Sequence, residues 1–307
     1  MIEIPADAGP VFGLVSLALV ALWVPWRASF LGAAAGRFPG GPLWLPLAIA
    51  ALGLALQHDF VTPRGALALT ALGFATHFAH RRSSLPSERR VATGVTIALG
   101  AALMAHWVPG FDNPRVLDEV VLSAEAAAYS KYLNLDKAMA GLVLLALAGW
   151  PLARAAEWRR ILAAVARVVP PTAAALLGLA WLLGYVAWDP LADSGRRSLL
   201  LFWCWTNLLF TCAAEEALFR GVIQRKLAAA LSGRRHGALI ALAVAALLFG
   251  LAHSAGGWRY VLLSTVAGGG YGWALLRSGR IEASILTHFL VNLLHFALFT
   301  YPALAPG

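Results

Sequence analysis

Apolar residues along this chain gather into ten runs, at roughly 11–26, 43–57, 65–80, 92–108, 138–153, 170–188, 198–218, 237–254, 258–276 and 283–300. A bilayer core of about 30 Å takes a helix of about 20 apolar residues, and the longer runs approach that length. The pattern predicts an all-α, polytopic transmembrane helix bundle of about ten helices. One long interruption, "WVPGFDNPRVLDEVVLSAEAAAYSKYLNLDKAM" at 107–139, divides the runs into two groups. It opens with the helix breakers Pro109, Gly110, Asn113 and Pro114, and its remainder reads as a short amphipathic helix. The expected organisation is an N-terminal four-helix membrane region at 1–108, an extracytoplasmic connection at 109–137 and a second membrane region at 138–307. The connection is either a plain loop or a lid over a cavity.

Composition agrees with the pattern. The chain is 60% hydrophobic and 13% charged, with a mean hydropathy of +0.72. Soluble domains carry about 25% charged residues, so this chain is too poor in charge to cover a water-facing surface. Its formal charge of +9 reads as membrane topology, because Lys and Arg concentrate in short cytoplasmic loops. With both termini extracytoplasmic, 17 of the 24 basic residues fall on the cytoplasmic side. They include Arg220, Arg225, Lys226, Arg234 and Arg235 in one connection, whereas Lys131, Lys137, Arg196 and Arg197 fall on the other side. No nucleic-acid-binding module is needed to explain the charge. The first ten residues carry Glu3 and Asp7 and no Lys or Arg, so the first run reads as a retained helix rather than a secretory signal. The richness in Ala, Arg and Leu suggests a bacterial source, and hence an inner membrane.

Against this background one stretch stands out, "FTCAAEEALFRGVIQ" at 210–224, with Glu215 and Glu216 inside an apolar run. A charge at the centre of a lone membrane helix costs on the order of 3 kcal/mol, so both need partners or water. Neighbours on a helix lie about 100° apart, so both can border one cavity but not point at one spot. Arg220 follows Glu216 by four residues, the favourable acid-first spacing, which leaves Glu215 for chemistry. Two further polar interruptions match it. "FGLAHS" places His253 four residues after Phe249, and "THFLVNLLHF" places His288, Asn292 and His295 on one helical face. Singly, each histidine reads as a hydrogen-bonded buried residue; together with two glutamates and an arginine they read as a site. His295 reads as packing. Helical rise puts Glu215 and His253 at similar depth, and His288 joins them if the first C-terminal hairpin projects further than the second.

Glu-Glu-x-x-x-Arg at 215–220, Phe-x-x-x-His at 249–253 and His-x-x-x-Asn at 288–292, in this order on successive membrane helices, resemble the motifs of the CPBP family. That family holds the Rce1-type CAAX prenyl endopeptidases and glutamic-type bacterial intramembrane proteases. The resemblance covers about 198–300, and "GFDNP…YLNLDKA" is also similar to some bacterial members. It implies that Glu215 and His253 activate a water molecule, that His288 and Asn292 stabilise an oxyanion, and that Glu216 and Arg220 are a positioning pair. The implied site opens toward the cytoplasm, and the implied substrate is a membrane-bound peptide or protein in the lipid bilayer, prenylated or not. One carboxylate and two imidazoles, Glu215, His253 and His288, also resemble a catalytic zinc set. No His-Glu-x-x-His helix is present, and a glutamate–histidine mechanism needs no ion, so both readings stand. Two rivals from other classes remain, a proton- or ion-coupled transporter using the same buried Glu and His, and a non-catalytic immunity or interaction protein.

Other features read as structural. Cys204 and Cys212 are eight residues apart on one helix, too far for a disulfide. His77 and His80 lead into the basic stretch "RRSSLPSERR", and "AGGGYGW" at 267–273 follows no strand, so close helix packing explains its glycines.

Overall fold

A computed structural model describes residues 2–24, 43–81, 85–150, 152–191 and 195–305. Ten helices are present among them: α1 Ala8–Ala21, α2 Trp44–Gln57, α3 Pro63–His80, α4 Pro86–Met104, α5 Leu135–Leu147, α6 Trp158–Leu182, α7 Arg196–Ala230, α8 Gly237–Leu251, α9 Gly257–Ser278 and α10 Ile281–Leu298. The protein is an all-α polytopic bundle. Their lengths are unequal. Three stretches, Ala155–Leu182, Arg196–Ala230 and Ile281–Leu298, are long and apolar enough to cross a membrane. The pair Gly237–Leu251 and Ser254–Ser278, bent by 57°, makes a fourth if taken as one span. α1 and α2 have 14 residues each, about 21 Å at the usual rise.

Two helices outrun the apolar pattern, each for a tertiary reason. α6 starts well before Pro170 and carries Pro170 and Pro171 in its interior, although an internal proline costs about 3 kcal/mol. Ile161, Val165 and Val168 on its first half pack against Ala274 and Ala283, and this burial offsets the missing hydrogen bonds. α7 continues through Arg220 to Ala230, so Arg220 is a core residue, fully buried, and not a loop cation. Arg196 is likewise fully buried rather than part of an external loop. It pairs with Asp189 at 3.2 Å and donates to the carbonyls of Phe296 and Phe299, clasping the end of α10 to the start of α7.

The connection contains no amphipathic helix. It folds as an antiparallel ribbon of β1 Arg115–Val120 and β2 Tyr129–Tyr132, with Leu117 opposite Lys131. Its Val and Tyr residues suit a pleated surface, and Val116 and Leu117 are buried beneath it. The basic stretch after His80 is only partly a connection, because Pro86–Arg90 already belong to α4; residues 82–84 lie outside the described set. One apolar cluster, running from Ala8 and Phe12 through Leu142 to Phe219 and Val291, joins the N-terminal helices to α5, α7 and α10.

Candidate active site

α7 departs from α-helical geometry on both sides of the glutamate pair. Asn207–Cys212 and Ala217–Gln224 are π-helical, flanking Ala213–Glu216. Such widened turns recur at functional sites because the i→i+5 ladder redirects side chains. Here Glu215 and Glu216 are both buried, and both approach His288 of α10. Glu216 Oε1 lies 2.9 Å from Nδ1 and Glu215 Oε2 lies 3.9 Å from Nε2. The two carboxylates thus point to different spots, Glu216 to the Nδ1 side of the ring, at hydrogen-bond distance, and Glu215 to its Nε2 side.

Arg220 Nη1 stands 3.1 Å from Glu216 Oε1 with both side chains fully buried, and its Nη2 donates to the Gly268 carbonyl at 2.9 Å. The guanidinium lies 4.5 Å from the centre of the Phe249 ring and 5.3 Å from that of Tyr271. Phe249 also packs on His253, and Tyr271 stacks on His288 at 4.3 Å. These aromatic faces receive the cation and hold the two imidazoles in place. A side chain at Gly268 would crowd Arg220, and one at Gly270 would run into Thr172. The glycine run is therefore a helix–helix contact surface that also leaves a carbonyl open to Arg220.

His253 follows the last turn of α8, in the break before α9. A carbonyl only accepts, so the 2.7 Å contact with the Phe249 carbonyl puts a proton on Nδ1, and in the neutral ring the lone pair is on Nε2. Asn292 Nδ2 donates to Asn207 Oδ1 at 3.4 Å, and the Cys212 thiol donates to the same oxygen at 3.2 Å. Both cysteines are free. Glu215, His253, His288 and Asn292 all line one cavity of about 480 Å³. His295 lines it as well, with Nε2 3.2 Å from the Thr300 carbonyl.

Three partners escaped the sequence reading. Lys137, in the first turn of α5, places Nζ 2.5 Å from Glu215 Oε1, so Glu215 is not left without a cation. Asp136 beside it is almost fully buried and is held by His106 at 2.7 Å and by Asn113 at 3.1 Å. Asn113 Oδ1 in turn accepts the Leu135 backbone N–H at 2.7 Å. This lattice ties the connection to α5 and fixes the turn that carries Lys137. Lys131, on β2, lines the cavity. Burial, with repulsion from Lys137 behind it, pushes its ammonium down to about 8. Asn207 is the third. A lysine opening an apolar run after "LNLD" at 133–136 was visible as a charge, but nothing local showed that it turned inward.

The cavity sits at the end of the bundle bounded by the ribbon and by Tyr301 and Pro302. The basic turn between α7 and α8 lies at the other end of those helices, so the expectation of a site opening toward the basic, cytoplasmic side is corrected: the cavity lies at the end away from that turn. His253 terminates α8 at the far end from that turn, which fixes the direction. Among the described residues no three His, Cys, Asp or Glu side chains are grouped to hold a metal ion. The trio Glu215, His253 and His288 is engaged instead with Lys137, the Phe249 carbonyl and Glu216.

No curated protein and no solved structure matches the chain. A family model does match, described as Type II CAAX prenyl endopeptidase Rce1-like, over residues 197–294. This interval begins at the start of α7 and ends within α10, and it contains every residue of the three polar motifs. The C-terminal third of the chain is thus similar to the Rce1-like family over this interval.

Proposed function

We propose that the protein is an intramembrane endopeptidase that hydrolyses a peptide bond of a membrane-associated substrate with a water molecule activated by Glu215 and His253. One observation carries the reading: Glu215, His253, His288 and Asn292, dispersed over 78 positions of sequence and all inside the interval that the Rce1-like family model matches, line a single cavity.

Glu215 is held through Oε1 by Lys137, so Oε2 is the oxygen available to a water proton. The Nε2 lone pair of His253 is a second acceptor. As water attacks the scissile carbonyl carbon, one proton passes to this base pair and the carbonyl oxygen becomes an oxyanion. His288, anchored at Nδ1 by Glu216, donates through Nε2 in its protonated form, and Asn292 donates an amide hydrogen. Fixed donors of this kind lower the barrier because they need no reorientation during reaction. Collapse of the intermediate returns the proton to the leaving amine. Glu216 and Arg220 touch no reacting atom and are positioning residues. No step calls for an ion.

The test is cleavage of membrane-anchored peptides by the purified protein in detergent. Glu215→Gln, His253→Ala and His288→Ala are each expected to lower kcat by about 10²–10⁴-fold, Asn292→Ala by about 10²–10³-fold, and a chelator to have no effect. Wild-type activity unaffected by all four substitutions would refute the assignment. Proton or ion flux through liposomes that responds to these variants, without cleavage, would mean that the residues line a transport path.

A further inference from the structure

The ribbon end of the cavity holds Lys131, and the cavity's carboxylate, Glu215, is already paired with Lys137. Glu215 is the sole carboxylate among the described lining residues. Glu216 is taken by Arg220 and His288. Lys131 lines the same cavity and has no carboxylate at ion-pairing distance among the described residues. Of the charged groups that act on it, Lys137 repels it and Glu215 attracts it from beyond ion-pairing distance. Its other polar neighbours in the lining, Tyr129, Tyr260 and Tyr301, are neutral. A half-buried cation without a counter-charge is costly, and the cost is removed by an anion entering the cavity.

We propose that Lys131 is the anion-binding residue of a substrate subsite and pairs with a carboxylate carried by the peptide near the bond presented to Glu215. Leu117 opposite it in the ribbon and the bulges on either side of that pair fix its place on β2, so the subsite is built by the connection rather than by the helices. This inference rests on the peptide-hydrolysis reading. The carboxylate has two sources, a free chain end or an Asp or Glu side chain.

The experiment measures equilibrium binding of three membrane-anchored peptides of otherwise equal sequence to the purified protein at pH 7. One ends in a carboxylate, one in a carboxamide, and one in a carboxamide preceded by Glu. Wild type is expected to bind one of the anionic peptides about 10-fold more tightly than the plain amide, the scale of one charge-assisted hydrogen bond. The preferred anionic peptide identifies the source. Lys131→Met is expected to abolish the preference while binding the plain amide unchanged, and Lys131→Arg to keep it. Equal affinities for all three peptides in wild type, or an undiminished preference in Lys131→Met, would overturn the proposal. Cleavage scored in the same samples tests the hydrolysis reading separately, because the binding preference is measured whether or not the peptide is cut.

Discussion

At the residue scale, a site inside a bundle is a problem of charge placement. Glu216, Arg220 and His288 form a cluster with almost no solvent contact, where removing one partner of a buried pair costs about 3–5 kcal/mol. Glu215 is held differently, by a lysine from another helix, so its second oxygen remains available. Lys131 supplies a measurable handle on this end of the cavity. Its folded-state pKa of about 8 lies below the ordinary lysine value of 10.5. Between these values the unfolded chain binds more protons than the folded one, so stability rises with pH across that window. Thermal unfolding followed from pH 8 to 10.5 is expected to show a rising Tm in wild type relative to Lys131→Met. Parallel curves would mean that Lys131 titrates normally. The glutamate pair, two histidines and the asparagine were all legible in sequence as polar residues in apolar runs, and Arg220 by its spacing from Glu216. Lys131, Lys137 and Asn207 were not, because neither a lysine of a polar connection nor a single amide within a run shows locally where its side chain turns.

At the element scale, the decisive contact is between α5 and α7. A Cβ added to Gly141 would stand 2.6 Å from Ala214 Cβ and 2.7 Å from its Cα, one residue before Glu215 in the chain. The two helices approach this closely only because Gly141 has no side chain, and the approach is what brings Lys137 to Glu215. Gly141→Val is expected to force them apart, with a loss of about 1–3 kcal/mol and a fall in kcat. Gly53→Ala, where the added Cβ meets nothing within 4 Å, is expected to leave both unchanged or to raise Tm slightly through lower backbone entropy. Thermal unfolding and peptide cleavage of the two variants in detergent check this; an equally stable, equally active Gly141→Val would show that the close approach has no role. Helix existence was legible from the apolar runs. Helix extent was not, since α6 runs through Pro170 and Pro171 on the strength of its packing, and the π-helical turns of α7 have no composition of their own.

At the scale of the whole molecule, the site and the basic turns lie at opposite ends of the C-terminal helices. If the basic turns follow the tendency of loop charge to stay cytoplasmic, the ribbon and the cavity mouth are expected on the opposite face. In a Cys204→Ala, Cys212→Ala background, a cysteine introduced at the exposed Tyr132 is expected to react with a membrane-impermeant thiol reagent on intact spheroplasts. One introduced at Arg234, exposed in the turn between α7 and α8, is expected to react only after lysis. The reverse pattern would invert the orientation. The N-terminal helices take part in the same architecture, with Phe12 of α1 packed 5.6 Å from Phe210 and Ser16 accepting from Trp205 at 2.9 Å.

The sequence by itself determined the class of fold, because a chain with so little charge has too little polar surface for water and must satisfy its backbone within helices. It also singled out the candidate residues, since glutamates, histidines and an arginine in apolar helices need partners or water. Tertiary structure alone decided how they meet. One imidazole divides two carboxylates between its nitrogens, and a ribbon and a distant helix supply the two lysines. The helix ends also turn the cavity away from the basic loops. Each of these depends on contacts between segments far apart in the chain, where local pattern carries no information about direction.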